Sequence, residues 1–196
     1  MEFFVIKSKR KTISINVDEL GNIKVYAPYN VSNDKIYDFI NKKHLWIEKH
    51  ANKNRQTADK YAQVISKQKG LIFGKIVEIT DNFDDTLKIL AKEYLQIRLN
   101  YLSEKYNFNF NRLIIKNYKS RWGACDKNKN IYLNYKLVSI DKNLIDYVII
   151  HELCHTLEFN HKQNFHKILS SYFENEKILR QNLKNFSFVT RISYKQ

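Results

Sequence analysis

The chain has 196 residues, 43% hydrophobic, 28% charged and 14% aromatic, a globular composition long enough to bury a core and too apolar for disorder. One proline and four glycines exclude a long low-complexity linker, and no solenoid or propeller repeat is present. The net charge of +14 permits contact with nucleic acid or another acidic surface, but the lysines are spread along the chain as general compositional bias would place them.

The N-terminal apolar run in "MEFFVIKSKRKTISI" is too short for a signal-peptide core, and its charges follow that run rather than precede it. No stretch approaches the roughly 18 apolar residues a membrane span needs. Two cysteines, Cys125 and Cys154, make no disulfide framework. These features predict a soluble, cytoplasmic protein without a membrane partner.

In chain order, residues 12–17 and 23–27 alternate around the turn "DELGN", which predicts a β-hairpin ended by Pro28. Ser32 then caps a helix with Ile36, Phe39, Ile40 and Ile47 at helical spacing and Trp46 beside them. That helix is expected to fray in the polar stretch "HANKNRQTADK". Residues 71–80 read as a strand or hairpin punctuated by Gly70 and Gly74. A long helix over about 85–106 follows, with Leu87, Leu90, Ala91, Tyr94, Leu95, Arg98 and Leu102 along one face. "RLIIKNY" and "IYLNYKL" are strand-like and flank the loop "KSRWGACDKNKN". A second helix starts near Lys142 with Asp141 as N-cap, and the chain ends in helical "KQNFHKILSSYF" and "ENEKILRQNLKNF". The pattern is α+β. We expect a β-rich half with one helix over 1–80 and a histidine-bearing half over 82–196, with a soft boundary inside one compact unit.

The chemistry concentrates in "HELCHTLEFNH". His151 and His155 are four apart on the predicted helix, so both imidazoles project from one face and can meet one ion. Glu152 leans toward the open side, placed to take a proton from an attacking water rather than to bind metal. A catalytic zinc site needs a third protein ligand. His161 supplies it if Asn160, a residue that tolerates the left-handed conformation, turns the chain back; Glu174 or Glu176 is the alternative. The His spacing equals that of the metzincins, but Glu158 stands at their glycine and the sole methionine is Met1, so no Met-turn lies downstream.

Taken together, "SRWGACDKNKNIYLNYKL", "IDYVIIHELCH" and "NHKQNFHKIL" resemble the YgjP-like metallopeptidase family, a relative of the SprT-like and WLM zincins. The N-terminal "KRKTISINVDELGNIKVYAP" and "FINKKHLWIEKH" extend the resemblance over most of the chain. It implies a zincin-like fold, His151, His155 and His161 as ligands of one zinc ion, and Glu152 as the catalytic base. The spacing of His161 to Phe165 is similar to that in SprT-like relatives and supports the third ligand. The family's sheet edge above the site helix corresponds to Ile131–Asn134. Ala124, His166 and the "DKN" before the site helix depart from the family pattern, and none is a ligand position.

Arg121, Trp122 and Asn134 are candidates for substrate contact, Arg121 through a carboxylate or phosphate. Tyr132 and Tyr135 are candidate oxyanion donors. Cys154 is expected to be a core thiol, Cys125 is too isolated to be a nucleophile, and His44, His50 and His166 are not expected to be ligands. Three functions fit these residues. The first is a zinc metallopeptidase acting on peptide or protein. The second is a nucleotide phosphoanhydride hydrolase on the same site. The third is a non-enzymatic basic module binding nucleic acid or protein, which has no need of Glu152.

Overall fold

The computed structural model describes residues 1–194. The chain divides into two units, Met1–Ala62 and Gln63–Gln196.

In the first unit, Phe4–Ser8 (β1), Ser14–Val17 (β2) and Ile23–Pro28 (β3) form one sheet in the order β1-β3-β2. The predicted hairpin is β2–β3, paired antiparallel from Ser14↔Tyr26 to Val17↔Ile23. Strand β1 lies parallel to β3 and escaped the sequence reading, because "FVIKS" carries no alternation and is largely exposed. Alternation does govern β3: Ile23, Val25 and Ala27 point into a core shared with Ile36, Ile40, Ile47 and Ala51 of the helix Asn33–Lys60 (α1). Ser32 occupies the N-cap position, although its side chain makes no capping bond. The helix does not fray after His50. Ala51 is buried, Asn54 Nδ2 donates to the Asp18 carbonyl at 2.8 Å and Arg55 Nη2 donates to the Gly21 carbonyl at 3.4 Å. Tertiary contacts with the hairpin turn thus override the poor local pattern.

A single turn, Ala62–Ile65 (α2), follows. In the second unit, Lys69–Ile72 (β4) and Lys75–Glu78 (β5) form a hairpin. Its two turn residues, Phe73 and Gly74, both have positive φ, as the favoured two-residue hairpin turn demands. Phe73 holds this conformation because its N–H donates to the Val138 carbonyl at 2.7 Å. The long helix Phe83–Lys105 (α3) buries Leu87, Ala91, Leu95, Leu99 and Leu102. Arg98 joins it to the site helix by two bonds to Asp146, at 2.7 and 2.6 Å.

Leu113–Lys116 (β6), Gly123–Cys125 (β7) and Ile131–Asn134 (β8) form the second three-stranded sheet, ordered β6-β8-β7. Ile131–Asn134 is therefore the central strand and not the edge expected from the resemblance. The edge that meets the site helix is β7, a three-residue strand inside what the sequence presented as a loop. The segment Tyr135–Ser139 is a short 3-10 turn leading to Lys142–Cys154 (α4), the site helix. Helix α4 buries Leu144, Ile145, Val148, Ile149, Leu153 and Cys154, so apolar contacts on nearly every side fix it in the core. Gln163–Ser171 (α5) and Glu176–Asn185 (α6) complete the unit, with a 3-10 turn at Ser187–Arg191. Among the described residues, no helix is long and apolar enough to cross a membrane.

Candidate metal centre

Helix α4 delivers His151 one turn before its end and His155 at its C-cap. The chain then reverses without a left-handed Asn160, whose φ is not positive. Side chains make the turn instead. Asn160 Nδ2 donates to Glu158 Oε1 at 2.6 Å, Asn164 Nδ2 donates to Glu158 Oε2 at 3.2 Å, and Asn160 Oδ1 accepts from the Lys162 N–H at 3.1 Å. Glu158, at the metzincin glycine position, thus organises the loop that returns His161.

His161 Nε2 lies 3.1 Å from Nε2 of both His151 and His155. Three ligands about 2.0–2.1 Å from a tetrahedral zinc ion would stand about 3.3 Å apart, so the imidazoles are spaced to share one ion. The protonation states fit as well. His155 Nδ1–H donates to the Glu158 carbonyl at 3.0 Å, leaving the Nε2 lone pair facing the cluster. Burial pushes the pKa of His151 down to about 3, aided by the neighbouring histidines and Arg180, and burial likewise lowers that of His155. Phe165, fully buried on α5, backs all three rings: it stacks on His155 at 4.4 Å and meets His151 and His161 edge-on at 4.9 and 4.7 Å.

Glu152 is 6% exposed. Burial raises its pKa to about 8, with the Arg121 charge opposing. Gly123 on β7 makes room for it, since a Cβ there would stand 2.7 Å from Glu152 Cγ and Oε1. Sequence reasoning missed this pairing; the only trace was a glycine after "RW". Burial, then the nearby Glu152, raises the thiol pKa of Cys125 to about 11 and of Cys154 to about 12, so neither is a thiolate at neutral pH.

The carboxylates offered as alternative ligands are not in the cluster. Glu176 accepts from the Tyr147 hydroxyl at 2.9 Å and pairs with Arg180 at 3.6 Å, while exposed Glu174 lines a groove of about 590 Å³ with His166, Phe173 and Arg180. Arg121 is exposed, its guanidinium over the Tyr118 ring, and Trp122 is half-buried. Asn134 is fully buried. It donates to the carbonyls of Tyr118 and Arg121 and accepts from the Lys136 N–H, so it shapes the "SRWG" loop and offers nothing to a substrate. Tyr132 donates to Asp126 at 2.9 Å, and Tyr135 is buried near Asp84, which corrects the expectation of an oxyanion donor at either. His44 and His50 lie on α1, where each ring bonds a helix carbonyl.

The free edge of β7 has a defined polarity. The Asn134 N–H donates to the Trp122 carbonyl at 2.8 Å and the Asp126 N–H to the Asn130 carbonyl at 3.2 Å. Antiparallel pairing alternates, so the backbone groups of Gly123 and Cys125 between them point away from β8.

Three imidazoles brought together by one helix and the turn after it, with a buried carboxylate on that same helix, form the donor set of a metal-dependent hydrolase. A model of the YgjP-like metallopeptidase domain matches residues 11–80 and 77–186, and the chain belongs to that family. Among curated proteins, none matches it.

Proposed function

We propose that the protein is a zinc-dependent peptidase in which His151, His155 and His161 hold one zinc ion and Glu152 is the general base. The observation that carries this reading is the convergence of three Nε2 atoms, with two separations of 3.1 Å, at the end of a helix that also bears a buried carboxylate. Zinc would supply Lewis-acid chemistry, polarising the scissile carbonyl and lowering the pKa of water.

The protein's own groups do the rest. A nearby cation favours the ionised form of Glu152, so its carboxylate accepts the proton of the attacking water and returns it to the leaving amine. The substrate adds as an extended strand to the outward backbone groups of Gly123 and Cys125. Arg121 and Trp122, which precede β7 directly, contact the substrate beyond that edge. The reaction takes place in the cytoplasm.

The test is hydrolysis of a peptide library by zinc-loaded protein beside Glu152→Gln. Cleavage lost in the variant at unchanged zinc content supports the reading. Equal turnover by the two proteins removes Glu152 from its role.

A further inference from the structure

The three-stranded sheets of the two units are built on one plan. In each sheet, the first strand runs parallel to a central strand, and the other two strands form an antiparallel hairpin: β1-β3-β2 in one unit, β6-β8-β7 in the other. The hairpin turns match atom for atom. Asp18 Oδ1 accepts the N–H of Leu20 and Asn22 at 3.0 and 2.8 Å, and Oδ2 accepts Asn22 Nδ2 at 3.1 Å. Asp126 Oδ1 accepts the N–H of Asn128 and Asn130 at 2.9 and 3.0 Å, and Oδ2 accepts Asn130 Nδ2 at 2.8 Å. The fourth turn residue has positive φ in both, 81° at Gly21 and 58° at Lys129.

Counted from these aspartates, the hairpin registers coincide. Asn16↔Lys24 corresponds to Ala124↔Tyr132, and Ile15↔Val25 to Gly123↔Leu133. The correspondence continues without a gap into the helices. Buried Ile36 and Ile40 of α1 take the places of buried Leu144 and Val148 of α4. Lys43, His44 and Ile47 then stand where α4 carries His151, Glu152 and His155.

We propose that Met1–Ala62 is a second copy of the β6-to-α4 segment of the other unit without its metal centre, and that the free edge of β2 binds an extended peptide segment it does not cleave. The docking half of this proposal rests on the peptidase reading of β7. The Asp18 N–H donates to the Asn22 carbonyl at 3.0 Å, so by the same alternation the backbone groups of Ile15 and Val17 point away from β3, as those of Gly123 and Cys125 point away from β8. The side chains of Ile13, Ile15 and Val17 are partly exposed, which suits a partner strand with apolar residues at alternate positions. Cleavage is excluded at this edge because lysine and isoleucine replace the two helix-borne ligands and His44 is bonded to the Asn41 carbonyl.

The experiment is residue-resolved amide exchange on the full chain as Glu152→Gln, zinc-loaded, with an acetylated and amidated hexapeptide alternating Val and Thr. Exchange at Ile15 and Val17 should slow at least tenfold at saturating peptide. A backbone N-methylated probe should give no protection, and Ile15→Pro, which removes one of the outward N–H groups, should abolish it at Val17. Unchanged exchange at Ile15 and Val17 with up to millimolar peptide overturns the proposal, even if Gly123 and Cys125 become protected. Protection at Ile15 and Val17 with none at Gly123 and Cys125 supports it and counts against the peptidase reading of β7. The two readings therefore fail separately.

Discussion

Gly123 and Glu152 face each other across the gap between β7 and α4, with the place of the missing Cβ only 2.7 Å from a carboxylate oxygen. A methyl group there must displace the carboxylate or bend the strand. Gly123→Ala is expected to lower kcat by tenfold or more while zinc binding stays intact, since no histidine is touched. Overpacking of this kind also costs about 1–3 kcal/mol of stability. Steady-state kinetics with zinc analysis checks both, and wild-type turnover would show that the base does not need this clearance.

The metal-free protein should reveal Glu152 through the pH dependence of its stability. Burial lifts its folded pKa from 4.5 to about 8, so the folded state keeps a proton that the unfolded chain has released. The stability associated with the neutral carboxyl is complete below about pH 4.5 and is lost as pH rises through about 8. Glutamine cannot ionise. Glu152→Gln should therefore differ little from wild type near pH 4.5 and become more stable by an increasing margin, on the order of 4 kcal/mol above pH 8. Urea unfolding in the presence of chelator tests this, and a difference that is flat with pH would contradict it. Because the two proteins share His151 and His155, the acid-side loss from those buried imidazoles cancels in the comparison.

How much of this was legible in the sequence depended on the range of the interactions. The pairing of His151 with His155 follows from the pitch of one helix, and the apolar lead-in over 144–150 guaranteed that helix. Likewise β2–β3 showed itself by alternation around "DELGN". The order β6-β8-β7 was hidden, because "GAC" is too short to carry a period and its position is set by pairing with residues 131–133. The full length of α1 was hidden for a related reason: Asn54 and Arg55 hold its end through the distant hairpin turn. The asparagine at 160 suggested the right reversal by the wrong means, since side-chain bonds around Glu158 replace a left-handed backbone.

Zinc should bind at one ion per chain, and His151→Ala or His155→Ala should abolish tight binding. His161→Ala should weaken it strongly, whereas Glu174→Gln and Glu176→Gln should leave affinity unchanged, because Glu176 is held by Tyr147 and neither acid belongs to the histidine cluster. Phe165→Leu keeps every donor but removes the ring backing all three imidazoles, and a loss of about 10–100-fold in affinity is expected, as for other supporting groups. Competition with a chromogenic chelator measures each. Full affinity in His161→Ala would remove the third ligand.

Ionic strength separates peptide hydrolysis from chemistry on a polyanion. The net charge of +14 creates a field that attracts anions, and its range shrinks to about 10 Å at 0.1 M salt. Groups that act on a bound neutral peptide sit well inside that distance: the histidine nitrogens are 3.1 Å apart, and Glu152 is shielded from solvent. For neutral peptides, kcat/KM should therefore change less than twofold between 20 and 200 mM salt, both taken as roughly spanning the screening range. A nucleotide or nucleic acid substrate would behave differently, with affinity falling steeply as charge attraction is screened and counterions are released. The measurement is kcat/KM for an uncharged peptide and for a nucleoside triphosphate across that range, in wild type and in Glu152→Gln. Nucleotide turnover that falls steeply with salt and disappears in the variant, without any peptide cleavage, would transfer this site from peptide to phosphoanhydride chemistry.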